Sequence, residues 1–110
     1  MDVPDLSRVE MLILSALSWH EQYGLEIVDS VKQITDGRQT LSLGGLYTTL
    51  HRMEKKGLVE ARWGDTTEVR HGARRRYYTI AGLGELALVE SRRALFSALT
   101  FQPSPGAMRA

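Results

Sequence analysis

Hydrophobic residues recur at helical spacing in four segments of the chain, and turn-favouring residues separate these segments. The first segment predicts a helix from a cap at Asp5 or Ser7 to about Trp19, with an apolar stripe wide enough to pack on two sides. After a connection over 20–24, where a glycine favours a turn, a second helix is predicted over 25–35. Its predicted inward positions are Ile27, Val28, Val31 and Ile34, and Asp36 and Gly37 are expected to end it.

The third segment has the clearest periodicity. Leu46, Leu50 and Met53 recur at i, i+4 and i+7, which defines one stripe of a helix. Ser42 is the predicted N-cap residue, and Gly57 is the glycine expected to end the helix. At about 100° per residue, the face opposite the stripe is small, polar and basic. It holds Thr48 and Arg52, flanked by Gly44, Gly45, His51, Lys55 and Lys56.

Two later segments have strand character. Residues 58–63 alternate in hydrophobicity, 64–72 are rich in glycine and charge and predict a hairpin tip, and 73–80 predict the return strand. A short strand over 40–42 is also expected. The predicted fold is therefore mainly α with a small antiparallel β-hairpin: a winged helix-turn-helix over residues 1–80, followed by one C-terminal helix.

The exposed face of the third helix suits nucleic acid, because the major groove of DNA admits one α-helix. We expect Thr48 and Arg52 to reach base edges, and Ser42, Tyr47 and Lys55 to contact phosphate. Glycines at the helix start let the backbone approach the duplex closely. Gly44, Gly45 and His51 complete this predicted surface. The alternative is an ordinary solvated helix face.

The predicted return strand holds three consecutive arginines, which places cations on both of its faces. We expect Arg74 and Arg75 to contact phosphate, with a merely solvated strand as the alternative. His71, near the hairpin tip, is a candidate for an adjacent minor groove. Trp63 is expected in the core or an interface, and Tyr77 and Tyr78 are expected to pack within the sheet.

Composition narrows the functional classes. The chain has 110 residues, a net charge of +1 and no cysteine, which excludes disulfides and thiolate chemistry. Residues 1–40 hold three basic and seven acidic side chains, whereas 51–80 hold eight basic and four acidic ones. A basic face on a nearly neutral domain favours specific contact with DNA, and the acidic half is expected to face away. The three histidines have no metal-binding spacing, so no metal, cofactor or catalytic site is expected.

The last predicted helix, residues 81–100, has apolar residues on more than one stripe. One stripe can bury on its own domain, and the other is expected to bury on a second copy of the chain. The predicted dimer contacts are Leu88, Arg92, Leu95, Phe96 and Leu99. Residues 102–110 are expected to form a disordered tail, and the acidic start and lack of a long apolar run indicate a cytoplasmic protein.

Four stretches of the chain resemble the PadR-like family of bacterial transcriptional regulators. They are Tyr23–Ile27, Leu41–Val59, Trp63, and Arg75–Ile80 followed by Gly84. The resemblance spans about residues 8–100 and is similar to the family's short branch, which has a single helix after the wing. It implies a homodimeric repressor with a recognition helix at Leu43–Lys56, a wing at Trp63–Tyr78 and dimerisation through the C-terminal helix.

The resemblance has two further implications. Some short members of the family bind planar aromatic compounds at the dimer interface, which makes Phe96 a candidate ligand contact. Where the family usually has threonine before the last helix, this chain has Ala81, so a side-chain cap is lost unless Thr79 replaces it.

Two hypotheses of different class follow. The first is a DNA-binding repressor that recognises an inverted repeat as a homodimer and is released by a small aromatic ligand. The second is a winged-helix module that binds a partner protein, because the fold alone does not dictate function. An enzyme is not expected, since no nucleophile with its base and no phosphate-binding glycine motif are present.

Overall fold

The computed structural model describes residues 2–65 and 74–106. Four helices and a small three-stranded antiparallel sheet make up this part of the chain. The elements in chain order are α1 (Arg8–Leu17), β1 (Gln22–Tyr23), α2 (Gly24–Ile34), α3 (Leu43–Lys55), β2 (Val59–Trp63), β3 (Arg76–Ile80) and α4 (Gly82–Leu99). The fold is the predicted winged helix-turn-helix with a C-terminal helix.

The sheet has the strand order β1-β3-β2, and its third strand is not where the sequence predicts it. Gln22 pairs with Tyr78 and Tyr23 with Tyr77, so part of the connection predicted as a turn is a strand. The predicted strand over 40–42 is wrong, because these residues are irregular. The buried Gln22 side chain fixes β1: its amide donates to Ala16 O at 2.8 Å and its oxygen accepts from Ser30 Oγ at 2.8 Å.

The predicted core positions of α1 and α3 are confirmed. Ile13 and Leu14 of α1 are fully buried, and α1 contacts α2, β3 and α4, as its wide stripe predicts. The stripe of Leu46, Leu50 and Met53 is also buried. The prediction that Ile34 faces inward is wrong, because it is 49% exposed at the end of α2. Helix α1 ends at Leu17, two residues before the approximate end predicted at Trp19.

Helix termini follow the predicted caps except at α4. Ser7 and Glu10 form a reciprocal capping box at the start of α1, and Ser42 Oγ accepts from the Gly45 amide at 3.1 Å. Gly57, with φ +79°, lies just after the end of α3 in the conformation that favours glycine. Ala81 gives α4 no side-chain cap, and the suggested replacement by Thr79 is wrong, since no such hydrogen bond exists within the described residues.

Helix α4 begins against the β2–α3 junction. Gly84 allows this approach, because a Cβ there would lie 3.1 Å from the carbonyl carbon of Leu58. Farther along, Ala87 and Leu88 are buried in the subunit core. Leu88 is therefore wrong as a predicted dimer contact: it faces the same side as Gly84, one turn farther along, where α4 still packs on its own domain.

None of the described helices is both long enough and apolar enough to cross a membrane. The prediction of a disordered tail concerns residues 102–110. Of these, 102–106 are exposed and outside any helix or strand, and 107–110 lie outside the described residues.

Candidate nucleic-acid interface

Helix α3 presents a continuous exposed face opposite its buried stripe. Leu46, Leu50 and Met53 anchor one side, and this leaves Thr48 and Arg52 exposed, as predicted. The Thr48 hydroxyl donates to Gly44 O at 3.0 Å, so its oxygen remains available as an acceptor. The other predicted surface residues of this helix that are exposed are Gly44, Gly45, His51 and Lys55.

The first turn of α3 has little side-chain bulk. A Cβ added at Gly44 would meet nothing within 4 Å, and one at Gly45 would meet only the Ser42 hydroxyl at 3.0 Å. Packing inside the subunit therefore does not require these glycines, apart from the contact that a Cβ at the second one would make with the Ser42 cap. Their effect is to leave two successive positions in the first turn of α3 without side chains, so that the backbone there can come close to a ligand.

Tyr47 belongs to α3, but its side chain packs against α2. Its ring lies over Gly24, and a Cβ at Gly24 would lie 2.8 Å from Tyr47 Cζ. The side chain nevertheless stays 42% exposed. Gly24 has no positive φ, so close packing against Tyr47, and not a turn, accounts for glycine here.

Several cations of the basic half are neutralised within the subunit. Lys56 Nζ lies 3.0 Å from Glu10 Oε2, and Arg62 binds both carboxylate oxygens of Glu21 at 2.6 and 2.8 Å. The expectation that the acidic half faces away is thus wrong for these two glutamates. They lie beside the basic half because the fold brings Glu10 of α1 to Lys56 at the end of α3, and Glu21 of the α1–β1 connection to Arg62 of β2.

Both carboxylates have a lowered pKa. Burial alone would raise the pKa of Glu10, but the Ser7 amide and the Lys56 ammonium together outweigh it. The hydrogen bonds from Arg62 lower the pKa of Glu21. A third pair joins Arg76 to Glu54 at 3.4 Å. It connects α3 to the hairpin stem, which consists of β2, β3 and the described residues next to them, 64–65 and 74–75.

Arg52 and Lys55, in contrast, are not neutralised by ion pairs in the described part of the chain. Both are exposed on α3, and neither side chain forms a hydrogen bond or ion pair within residues 2–65 and 74–106. The positive charge of the basic half that faces solvent on α3 is therefore concentrated on these two side chains. They lie one turn apart along the same face as Thr48.

The arginines of the hairpin stem divide between the two sheet faces. Arg74 donates twice to Gly64 O, at 2.7 and 2.9 Å, and Arg75 lies over the Tyr23 ring at 4.3 Å. Arg76 points the other way, toward Glu54 and the Trp63 ring at 4.8 Å. The guanidinium groups of Arg74 and Arg75 are thus held on the stem by internal contacts, which sequence reasoning did not foresee.

The aromatic residues of the sheet pack as expected, except for one. Tyr78 is buried, and burial raises the pKa of its hydroxyl. Tyr77 meets Tyr23 edge to face, with ring centroids 5.8 Å apart. Trp63 is 54% exposed under Arg76, so of its two predicted places, core or interface, the core is wrong and the interface stays a prediction. His71 lies outside the described residues.

The second half of α4 exposes an apolar face. Leu95 is 50%, Phe96 69% and Leu99 85% exposed, and Arg92 is exposed beside them. No group of histidine, cysteine or carboxylate side chains in the described ranges is arranged to hold a metal ion.

A sequence model of the PadR-like family of transcriptional regulators matches residues 13–90. The chain belongs to this family. An uncharacterised protein of Lysinibacillus sphaericus is 32% identical over 83 residues, which cover 76% of this chain and 73% of that protein.

Solved structures agree with this PadR-like assignment. A PadR family transcription regulator from Clostridium difficile is 31% identical with a TM-score of 0.64, covering 80% of this chain and 86% of that one. A transcriptional regulator from Clostridium thermocellum is 28% identical with a TM-score of 0.70, covering 82% of each chain. Bacillus subtilis PadR, solved with operator DNA, shares the fold at 18% identity with a TM-score of 0.66, over 89% of this chain and 50% of that one.

Proposed function

We propose that this PadR-like chain is a sequence-specific DNA-binding repressor that inserts α3 into the major groove. The observation that supports the proposal is the division of α3 into a buried stripe and an exposed face. The buried stripe fixes the helix, and the exposed face combines two glycines in the first turn with the two cations Arg52 and Lys55. A helix fixed on one side and cationic on the other suits a groove lined by phosphates.

Within this proposal the side chains divide by role. Thr48 and Arg52 read base edges, because they lie near the middle of the exposed face. Gly44 and Gly45 let the backbone approach the duplex. His51 belongs to the same exposed surface of α3. The phosphate contacts are assigned to Ser42, Tyr47, Lys55, Arg74 and Arg75, with the last two acting from the stem where their contacts hold them.

The proposed functional unit is a homodimer formed through α4. Leu95, Phe96 and Leu99 form an exposed apolar face that a second copy would cover. A two-fold dimer would present its two α3 helices to successive turns of the groove, about 34 Å apart, and would therefore recognise an inverted repeat. The solved operator complex of Bacillus subtilis PadR, which shares the fold, is consistent with this use of the domain.

Release by a small aromatic ligand is the remaining part of the proposal. Phe96 is 69% exposed on the face assigned to the dimer, so a planar compound could stack on it between the subunits. A panel of planar aromatic compounds titrated into the protein–operator complex tests this. Loss of DNA binding in wild type but not in Phe96→Ala supports release, and equal behaviour of the two proteins contradicts it.

Selection from a random duplex library, followed by sequencing of the bound fraction, tests the function itself. Recovery of a two-fold symmetric site supports the repressor, and fluorescence anisotropy then measures its affinity against a scrambled duplex. If no sequence is enriched and binding shows no salt dependence, the DNA-binding proposal fails, and the winged-helix module for a partner protein takes its place.

A further inference from the structure

Two arginines from the acidic half of the sequence line one cavity. Arg8 begins α1, and Arg38 lies in the loop between α2 and α3. Both are exposed, and both line one shallow cavity together with Leu12, Ile34 and the C-terminal end of α2. A pair of cations would not be expected in this part of the chain from charge alone, because residues 1–40 are acidic overall.

A second groove, of about 550 Å³, lies between α1 and α3. Ser7, the neighbour of Arg8, lies on one side of this groove, and Thr40 and Leu41, just after Arg38, lie at its end. Arg52 and Lys56 line it from α3. Arg8 follows Ser7 in the chain and Arg38 precedes Thr40 by two residues, so both arginines lie in the chain segments that also line the groove of Arg52 and Lys56.

The positive charges around the two cavities are only partly neutralised within the subunit. Glu10, the acidic residue of the groove, is already bound to Lys56. Asp36 lines the cavity of Arg8 and Arg38, but neither guanidinium group has an ion-pair or hydrogen-bond partner within the described ranges 2–65 and 74–106. Exposed guanidinium groups without a partner favour a polyanion, since they gain by displacing its condensed counterions.

We propose that Arg8 and Arg38 form a backbone clamp that binds phosphodiesters of duplex DNA beside the bases read by α3. This inference rests on the proposed DNA-binding function and adds a contact surface from α1 and the α2–α3 loop to that of α3 and the hairpin stem. The clamp recognises charge and spacing of the backbone, so it holds α3 in its groove without reading sequence.

The experiment compares wild type, the double variant Arg8→Ala with Arg38→Ala, and the control Arg93→Ala. Arg93 is also an exposed arginine, on α4, and pairs only loosely with Glu90 at 3.8 Å. Affinity for the selected site and for a scrambled duplex is measured by anisotropy from low to high salt. The clamp predicts about tenfold weaker binding to both duplexes in the double variant, and a salt slope smaller by about 1.8 per subunit.

Phosphate ethylation interference locates the contact. Wild type should show interfering phosphates that the double variant loses while the protected bases stay the same, and Arg93→Ala should match wild type. Unchanged affinity, or a loss of affinity with an unchanged salt slope, overturns the clamp. Absence of specific binding in wild type instead overturns the proposed function, and urea unfolding of each variant separates both outcomes from misfolding.

Discussion

The ring of Tyr47 in α3 lies directly over Gly24, the first residue of α2, and thereby joins the two helices of the helix-turn-helix. A Cβ at Gly24 would lie 2.8 Å from Tyr47 Cζ, closer than carbon atoms pack. The contact connects a buried backbone position to a half-exposed side chain on α3. It therefore couples the orientation of Tyr47 to the position of α2.

Gly24→Ala should lower the free energy of unfolding by about 1 kcal/mol, because the new methyl group displaces the Tyr47 ring into solvent. In a Tyr47→Ala background, the same substitution should become neutral or stabilise the fold by about 0.5 kcal/mol, since alanine restricts the unfolded chain. Urea unfolding of the four proteins of this double-mutant cycle measures the coupling. Equal effects of Gly24→Ala in both backgrounds would show that the ring does not occupy this space.

Gly84→Ala is expected to be more damaging than Gly24→Ala. The obstacle at Gly84 is the Leu58 backbone, with its carbonyl carbon 3.1 Å from an added Cβ, and backbone cannot swing aside as a tyrosine ring can. We expect a loss of about 2 to 3 kcal/mol in the free energy of unfolding. Gly82→Ala is the matched control on the same helix, because a Cβ there meets nothing within 4 Å. A small effect at Gly84, equal to the control, would contradict the close approach of α4.

Periodicity was sufficient to predict the four helices and the two strands of the hairpin, but not β1 or these contacts. The stripe of Leu46, Leu50 and Met53 predicts both the existence of α3 and its buried side, because a 3.6-residue repeat fixes one face. Strand β1 is only two residues long and has no period, so its pairing through Gln22 and Tyr23 depends on tertiary contacts alone. The role of Gly24 could not be predicted either. A glycine looks the same in a sequence whether close packing or a turn requires it.

The candidate site was predictable where it depends on one helix. Exposure of Thr48 and Arg52 follows from the angular position of each residue on α3. The charge pairs were not predictable, because Glu10 and Lys56 are 46 residues apart and meet only when α1 packs beside α3. Leu88 shows the same limit on α4, where the stripe that continues to Leu95 and Leu99 begins inside the subunit core.

The Glu10–Lys56 pair predicts a pH dependence of stability. The pKa of Glu10 is lowered in the folded state from its ordinary value of 4.5, so its stabilising contribution is fully present above that value. It is lost as pH falls below 4.5 and through the folded-state pKa, where the folded carboxylate also becomes protonated. The difference in unfolding free energy between wild type and Glu10→Gln should therefore be constant above about pH 5.5 and shrink toward acid pH.

Urea unfolding at several pH values measures this difference, and Glu85→Gln, an exposed position on α4, is the control. Lys56 is 47% exposed, so solvent screens the pair, and we expect a coupling of only about 0.5 to 1 kcal/mol. A difference between wild type and Glu10→Gln that does not change with pH would mean that Glu10 acts through its shape and cap alone.

Arg52→Ala should weaken binding to the selected site by about 1 to 3 kcal/mol while leaving binding to scrambled DNA almost unchanged, if Arg52 reads a base edge. Lys55→Ala is the matched control on the same face, and Arg75→Ala tests the stem in the same way. Both should weaken binding to every duplex and reduce the salt slope by about 0.9 per contact. Anisotropy on the two duplexes over a salt series separates the two classes. Equal losses on both duplexes for Arg52→Ala would remove it from base reading.

The apolar end of α4 predicts dimer dissociation by a single charge. Leu99 is 85% exposed in one subunit, so Leu99→Glu should leave the subunit folded, yet it places an unpaired carboxylate in the proposed interface. Ser97→Glu introduces the same charge nearly opposite on the helix and should leave the dimer intact. Sedimentation velocity over a concentration series measures the monomer–dimer equilibrium. Affinity for the inverted repeat should fall with dimerisation, whereas affinity for an isolated half-site should not, and a Leu99→Glu protein that stays dimeric would place the interface elsewhere.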